Sequence, residues 1–199
     1  MGFKHLFTTF REWLAPALPL TNDEAKPVRQ SLNELRKQRF EWGEQLVLRS
    51  AVEADFPALV ELEAICYDGY IAWSLADFKE DFKQNPYAVY GVLERNGVII
   101  GLISGRFLYR DAHISHLFLT PEERGKGLAQ RLVQWWLVQA QAFGAQKVAL
   151  EVRESNQAAL NLYQAQGFQI THRRRNYYYV LGETAICMEY RFDIQNKND

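Results

Sequence analysis

The chain reads as a mixed α/β domain preceded by a helical N-terminal extension, and three observations carry that reading. Strand-like and helix-like stretches interleave in the order strand, two helices, three strands, helix, strand, helix, two strands. Asn96-Gly97 lies between two apolar runs, the strongest short-range sign of a β-hairpin. A third apolar run, Ile114 to Leu119, leads through a glycine-bearing turn into a helical pattern that begins at Leu128.

Phe3, Leu6, Phe7, Phe10, Trp13 and Leu14 recur at helical spacing until Pro16 and Pro19 stop them. A second helix is expected over Val28 to Phe40, where Arg29, Arg36, Lys37 and Arg39 outweigh Glu34. The two pieces form an extension over residues 1–42. It either binds a partner or a membrane surface, or docks on the domain or on a second copy, since its aromatic face needs cover.

The domain proper is expected over residues 45–194. It opens with a strand from Gln45 to Arg49, then a helix carrying Pro57 in its first turn and Leu59, Leu62 and Cys66 on one face. Tyr67 to Trp73 is an aromatic loop, and Ser74 caps a second helix with Phe78 and Phe82 four residues apart. Strands follow at Tyr87 to Leu93, Val98 to Leu108 and Ile114 to Leu119. Leu128, Leu132, Trp135, Trp136 and Phe143 mark a long helix that Gln139 interrupts and Gly144 closes. Lys147 to Val152 alternates as a strand, Asn156 to Ala165 is helical, and Phe168 to Thr171 and Ala185 to Phe192 are the last strands.

With 199 residues, 48% hydrophobic and 14% aromatic, the chain can bury one sizeable core, enough for one catalytic domain. A formal net charge of -1 gives no global pull toward nucleic acid or an anionic membrane. Lys4, Arg11 and Glu12 break up the N-terminal apolar residues, and no apolar run is long enough to span a bilayer. Leu6 stands where N-myristoylation wants Ser or Thr. With only Cys66 and Cys187, both read as small buried residues, a reducing cytoplasm is expected. His113 and His116 have no carboxylate or cysteine at ligand spacing, so no metal is expected, and their place at the start of a strand accounts for them. His172-Arg173-Arg174-Arg175 is basic, yet no RNA-binding motif accompanies it, and no direct nucleic-acid partner is expected.

Two constellations carry chemistry. Backbone N–H groups from Gly125 to Gln130 at a helix start make an anion site suited to phosphate, and Arg124 and Lys126 can add charge-assisted contacts. Glu151 and Tyr163, a carboxylate and a phenol, stand about a dozen residues apart on a strand and the following helix. The segment His116 to Phe168 resembles the GNAT superfamily of N-acetyltransferases, whose signature is met by Arg124, Gly127 and Ala129. Leu150-Glu151-Val152-Arg153, Ser155-Asn156, Leu162-Tyr163, Gly167-Phe168, Arg174 to Tyr178 and Gly182 to Ile186 resemble, within it, the RimI-type ribosomal-protein alanine N-acetyltransferases. The resemblance covers residues 45–192, with departures at Ala72, usually proline, and Thr184, often aspartate.

That resemblance implies a central, mostly antiparallel, twisted sheet flanked by helices. It implies acetyl-CoA as cosubstrate, its pyrophosphate held by Arg124, Gly125, Lys126, Gly127, Leu128, Ala129 and Gln130. Leu117, Phe118 and Leu119 would offer main-chain groups to the acetyl and pantetheine end, where the strand bulges and splays from the one bearing Glu151. Asn156 would cap its helix and touch the pantetheine arm. Glu151 would be the general base, directly or through water, and Tyr163 the general acid; otherwise Glu151 pairs with Arg153 or another cation, and Tyr163 packs under the sheet. The implied acceptor is a protein N-terminus, specifically the N-terminal alanine of a small-subunit ribosomal protein. Alternatives are a lysine side chain, a small amine, or a module that holds coenzyme A without turnover. Tyr67, Tyr70, Trp73, Tyr177 and Tyr178 are candidate walls of the acceptor cleft, beside the basic segment from His172, or else ordinary loop packing.

Overall fold

The computed structural model describes residues 30–43, 45–67, 73–108 and 110–193. The helix expected between residues 3 and 15, together with Tyr70 and Ala72, lies outside them. In chain order the elements are β1 (Arg39–Glu41), β2 (Leu46–Ser50), α1 (Phe56–Cys66), α2 (Leu75–Gln84), β3 (Ala88–Arg95), β4 (Val98–Leu108) and β5 (Asp111–Leu119). Then come α3 (Leu128–Ala142), β6 (Lys147–Arg153), α4 (Gln157–Ala165), β7 (Gln169–Tyr178) and β8 (Glu183–Arg191). The strands form one sheet in the order β1-β2-β3-β4-β5-β6-β8-β7. Every neighbouring pair is antiparallel except β5 with β6, which matches the mostly antiparallel sheet expected.

Local chemistry explains where the elements begin and end. Asn96 and Gly97 have φ of 52 and 78, the pair of positive values that a tight hairpin turn requires between β3 and β4. Ser74 Oγ accepts from the Asp77 N–H at 3.3 Å while the Asp77 carboxylate accepts from the Ser74 N–H at 2.7 Å, a reciprocal cap that starts α2. Strand β3 is buried on both faces. Val89 and Leu93 join a core with Leu132, Trp136 and Leu160 of α3 and α4, whereas Ala88, Tyr90 and Val92 join one with Leu59 and Phe78 of α1 and α2. The helices therefore cover both sides of the sheet.

Two expectations are corrected. The helix read over Val28 to Phe40 is helical at residues 30–35 and then gives way to β1, which pairs antiparallel with β2. Three residues of sequence Arg-Phe-Glu carry no strand periodicity; sheet pairing and the packing of Phe40 against Trp135, centroids 5.7 Å apart, make the strand. Leu32 and Leu35 enter the core, so part of the segment assigned to the extension is built into the domain. Leu32→Ala, at a fully buried position, is expected to cost about 2–5 kcal/mol in urea unfolding. A cost below about 0.5 kcal/mol, the range of surface substitutions, would mean that the segment is not part of the core. At the other end, β7 continues past Thr171 to Tyr178, and β8 begins at Glu183. Strand β7 is an edge strand with mostly exposed side chains, so no apolar alternation announces it.

One irregularity shapes the middle of the sheet. Ser104 pairs with His116 and Gly105 with Ile114, which leaves Ser115 as an extra residue in β5. In a regular strand His113 and His116 would face opposite sides, and the extra residue returns them to one. Gly105 permits the close approach at that point: a Cβ there would lie 1.9 Å from the His113 carbonyl oxygen. Beyond the bulge β5 leaves β6, with which it pairs only over Asp111 to Ile114. The bulge lies at Ser115, ahead of the Leu117 to Leu119 stretch at which the resemblance implies it, and that stretch belongs to the splayed part of β5.

Candidate active site

A cavity of about 220 Å³ opens where β5 and β6 part. It gathers Leu117 from β5, Glu151 from β6, and Asn156 and Tyr163 from the start and middle of α4. Tyr67, Trp73, Tyr177 and Tyr178 stand in its wall.

Glu151 occupies a half-buried position in the alternation of β6, between buried Leu150 and Val152. His113 Nε2 lies 2.8 Å from its carboxylate, and Arg174 Nη1 3.9 Å away. Burial pushes the carboxyl upward, but the hydrogen bond from His113 and the charges of Arg174 and Arg106 outweigh it, so Glu151 is held below the ordinary carboxylate range. Burial dominates at His113 and keeps the imidazole neutral; it donates Nε2–H to Glu151, with Ser115 Oγ 3.3 Å from Nδ1. Arg153 pairs instead with Glu183 at 3.7 Å and lies 5.5 Å over the Tyr67 ring.

Tyr163 is buried, its ring edge-on to Phe168 at 5.4 Å, and burial raises its phenol well above the usual value. It therefore stays a neutral proton donor. Asn156 Oδ1 accepts from the Ala159 N–H at 3.1 Å and caps α4 from the cavity wall. Phe118 and Leu119 have buried core side chains and do not line the cavity.

The turn before α3 stands apart from the cavity, further along the chain from β5. Gly125 and Gly127 have φ of 72 and 75, a left-handed backbone that favours glycine, and a Cβ at either would meet nothing within 4 Å. Gly127 is the N-cap of α3, so the helix's first N–H groups begin there. Arg124 Nη2 donates to the Cys66 carbonyl at 3.0 Å, and Lys126 Nζ reaches Glu123 at 3.3 Å, so both cations already hold protein partners.

Two groups in the cavity, Glu63 and Arg106, escaped the sequence reading, and a third, His116, was read only as the start of a strand. Glu63 on α1 is fully buried, accepts from the Trp73 N–H at 3.2 Å, and lies 3.7 Å from His116 Nε2. Burial drives His116 down to about 3, and Ser104 Oγ is 3.0 Å from its Nδ1. Arg106 on β4 is buried in the same wall, its guanidinium lowered to about 10 by burial. The histidines thus sit against carboxylates rather than merely opening a strand. Only the bulge could have signalled this, and no local residue pattern marks it.

A carboxylate held charged beside a neutral imidazole, facing the same cavity as a neutral phenol, can take one proton and give another. Among the described residues no group of three His, Cys, Asp or Glu could hold a metal ion, and no helix is long and apolar enough to cross a membrane. Cys66 and Cys187 are free thiols; Cys187 is buried and Cys66 half-buried.

A putative ribosomal protein bS18-alanine N-acetyltransferase of Bacillus subtilis is 33% identical to the chain over 134 residues, 67% of this chain and 87% of that protein. N-alpha-acetyltransferase RimI of Mycobacterium tuberculosis is 32% identical over 149 residues, 73% and 92% of the two. The crystal structure of the ribosomal-protein-S18-alanine N-acetyltransferase from Escherichia coli superposes with a TM-score of 0.69 at 26% identity, covering 77% of this chain and 98% of that one. Residues 56–168 match the acetyltransferase (GNAT) family, from the first residue of α1 to the aromatic ring packed against Tyr163. With that match spanning the splayed strands, the glycine turn and, from the cavity, Glu151, Asn156 and Tyr163, the chain belongs to the acetyltransferase (GNAT) family and is an acyl-transferring enzyme.

Proposed function

We propose that the protein transfers an acetyl group from acetyl-CoA to the N-terminal amine of a protein in the cytoplasm, with the N-terminal alanine of a small-subunit ribosomal protein as acceptor. The observation that carries this is the meeting of Glu151 and Tyr163 in one cavity, at the divergence of β5 and β6, in a chain 33% identical to a putative bS18-alanine N-acetyltransferase. Two exposed apolar residues at the rim, Tyr179 and Val180, support an opening accessible to a peptide.

Acetyl-CoA supplies an activated thioester and a pyrophosphate. The open space at Gly125 and Gly127 and the N–H groups opening α3 suit the pyrophosphate. A main-chain N–H of the Leu117 to Leu119 strand polarises the thioester carbonyl. The acceptor enters as an ammonium, and Glu151 takes one proton from it, which frees the nitrogen lone pair to bond to the acyl carbon. As the carbon–sulfur bond breaks, Tyr163 Oη gives its proton to sulfur, and the second proton lost by nitrogen restores the phenol. One proton is released per turnover.

The cradle is testable alone. Gly127→Val places a β-branched residue at φ of 75, a strain of roughly 1–2 kcal/mol, and should raise KM for acetyl-CoA about tenfold. An unchanged KM would remove the turn from the cofactor site. The acceptor is tested by mass spectrometry of protein N-termini with and without the enzyme, beside assays on alanine-initiated peptides, lysine peptides and polyamines. Activity confined to polyamines or lysine side chains would overturn the N-terminal assignment.

A further inference from the structure

We propose that Glu63 is the residue that binds the acceptor amine in its ammonium form, upstream of deprotonation by Glu151. This rests on the reading of the cavity as an amine acetyltransferase site. An N-terminal amine has a pKa of about 8 and arrives largely protonated near neutrality. Entering a buried cavity strips that cation of water, so it needs a carboxylate and not merely a lone-pair acceptor.

The two carboxylates in this cavity are not equivalent. Glu151 is committed to His113 and lies near Arg174, the arrangement of a group set to move a proton. Glu63, on the α1 wall, is oriented by the Trp73 N–H at 3.2 Å and stands 3.7 Å from the neutral imidazole of His116. Trp73 and Tyr67 place aromatic rings in the same wall, surfaces that suit a cation losing its water. The bulge at Ser115 brings His116 round to the Glu63 wall while leaving His113 with Glu151. The acceptor nitrogen thus meets a binding carboxylate and a deprotonating one, each with its own histidine.

The groups around Glu63 leave a clear pH signature. Cys66 and Tyr67 stand at the end of its own helix, His116 on β5, Arg106 on β4, and Glu151 and Arg153 across the cavity. Burial raises Cys66 and Tyr67, lowers His116 to about 3, and lowers Arg106 only to about 10, while Glu151 is held low. Tyr67, His116, Arg106 and Glu151 keep their charge states between about pH 6.5 and 9, the range in which the amine itself titrates, and burial moves the Cys66 thiol further from that range.

The test is steady-state kinetics of Glu63→Gln on an alanine-initiated peptide at saturating acetyl-CoA across that range. The expected result is a KM for peptide raised roughly ten- to hundredfold at low pH, the loss carried by KM rather than kcat, and a gap that closes above the amine's pKa. A KM equal to the parent's at every pH, or a pH-independent fall in kcat, would overturn the proposal; the latter marks a structural role or a base. Thermal unfolding checks the fold. Should Glu63→Gln fail to fold, Glu63→Asp should show the same pH-dependent KM effect on a smaller scale, and a folded Asp variant with parental KM overturns the idea equally. A lysine peptide with a blocked N-terminus is run alongside. If the parent acetylates that peptide instead, the N-terminal assignment fails, and the Glu63 comparison is read there, its gap closing near pH ~10.

Discussion

Glu151→Gln is expected to lower kcat for peptide acetylation by roughly a hundred- to ten-thousandfold, with KM for acetyl-CoA near the parental value. The amide keeps the shape of the side chain and can still contact His113, but cannot take a proton. Tyr163→Phe should cause a comparable loss by withdrawing the proton from the leaving sulfur. The pH profile gives the sign. As the proposed base Glu151 works deprotonated, so activity should fall only as pH drops through a value below the ordinary carboxylate pKa of about 4.3, because His113 and the nearby arginines hold it down. As the proposed acid Tyr163 works protonated, so its limb should lie above the usual tyrosine value of about 10, because burial raises it. The same depression means that Glu151 contributes stability above its unfolded pKa, lost as pH falls through its folded one. Parental turnover in both variants would remove them from catalysis.

Gly105→Ala should be the most damaging single methyl in the sheet. The added carbon would lie 1.9 Å from the His113 carbonyl oxygen and 3.0 Å from Trp136, which is fully buried on α3. The near neighbour is backbone, so no rotamer change relieves it, and β5 must move away from β4. A loss of about 3 kcal/mol or more is expected, a fall in Tm of roughly 6–12 °C. Because His113 rides on the displaced strand, residual activity should drop even at temperatures where the variant is folded. An unchanged Tm would show that the two strands do not approach this closely at the bulge.

What could be read in the sequence was local chemistry. Asn96-Gly97, the Ser74 cap and the glycines at 125 and 127 act through their own backbones, so they behave alike in any context. Glu151, Asn156 and Tyr163 were legible through motif resemblance, and they do meet in one cavity. The pairs His113–Glu151 and Glu63–His116 were not. The first partners are 38 residues apart, and both pairs depend on one extra residue in β5 that changes which way a side chain points. Strands β1 and β7 were missed or cut short because edge strands need no buried face. Their charged residues read as a helix or a solvated end.

The parting of β5 from β6 also has an energetic side. Main-chain carbonyls that leave a ladder need other donors, and here side chains supply them. Tyr67 Oη donates to Leu117 O at 3.4 Å, Cys66 Sγ to Leu119 O at 3.0 Å, and Tyr178 Oη to Glu151 O at 3.3 Å. These are long or sulfur-borne contacts, weaker than the strand pairing they replace. An extended ligand threading the gap would exchange them for better ones at little net desolvation. The wedge is a sheet with a place-holder in its seam, where a strand-like guest would displace poor donors rather than fill bare polar backbone.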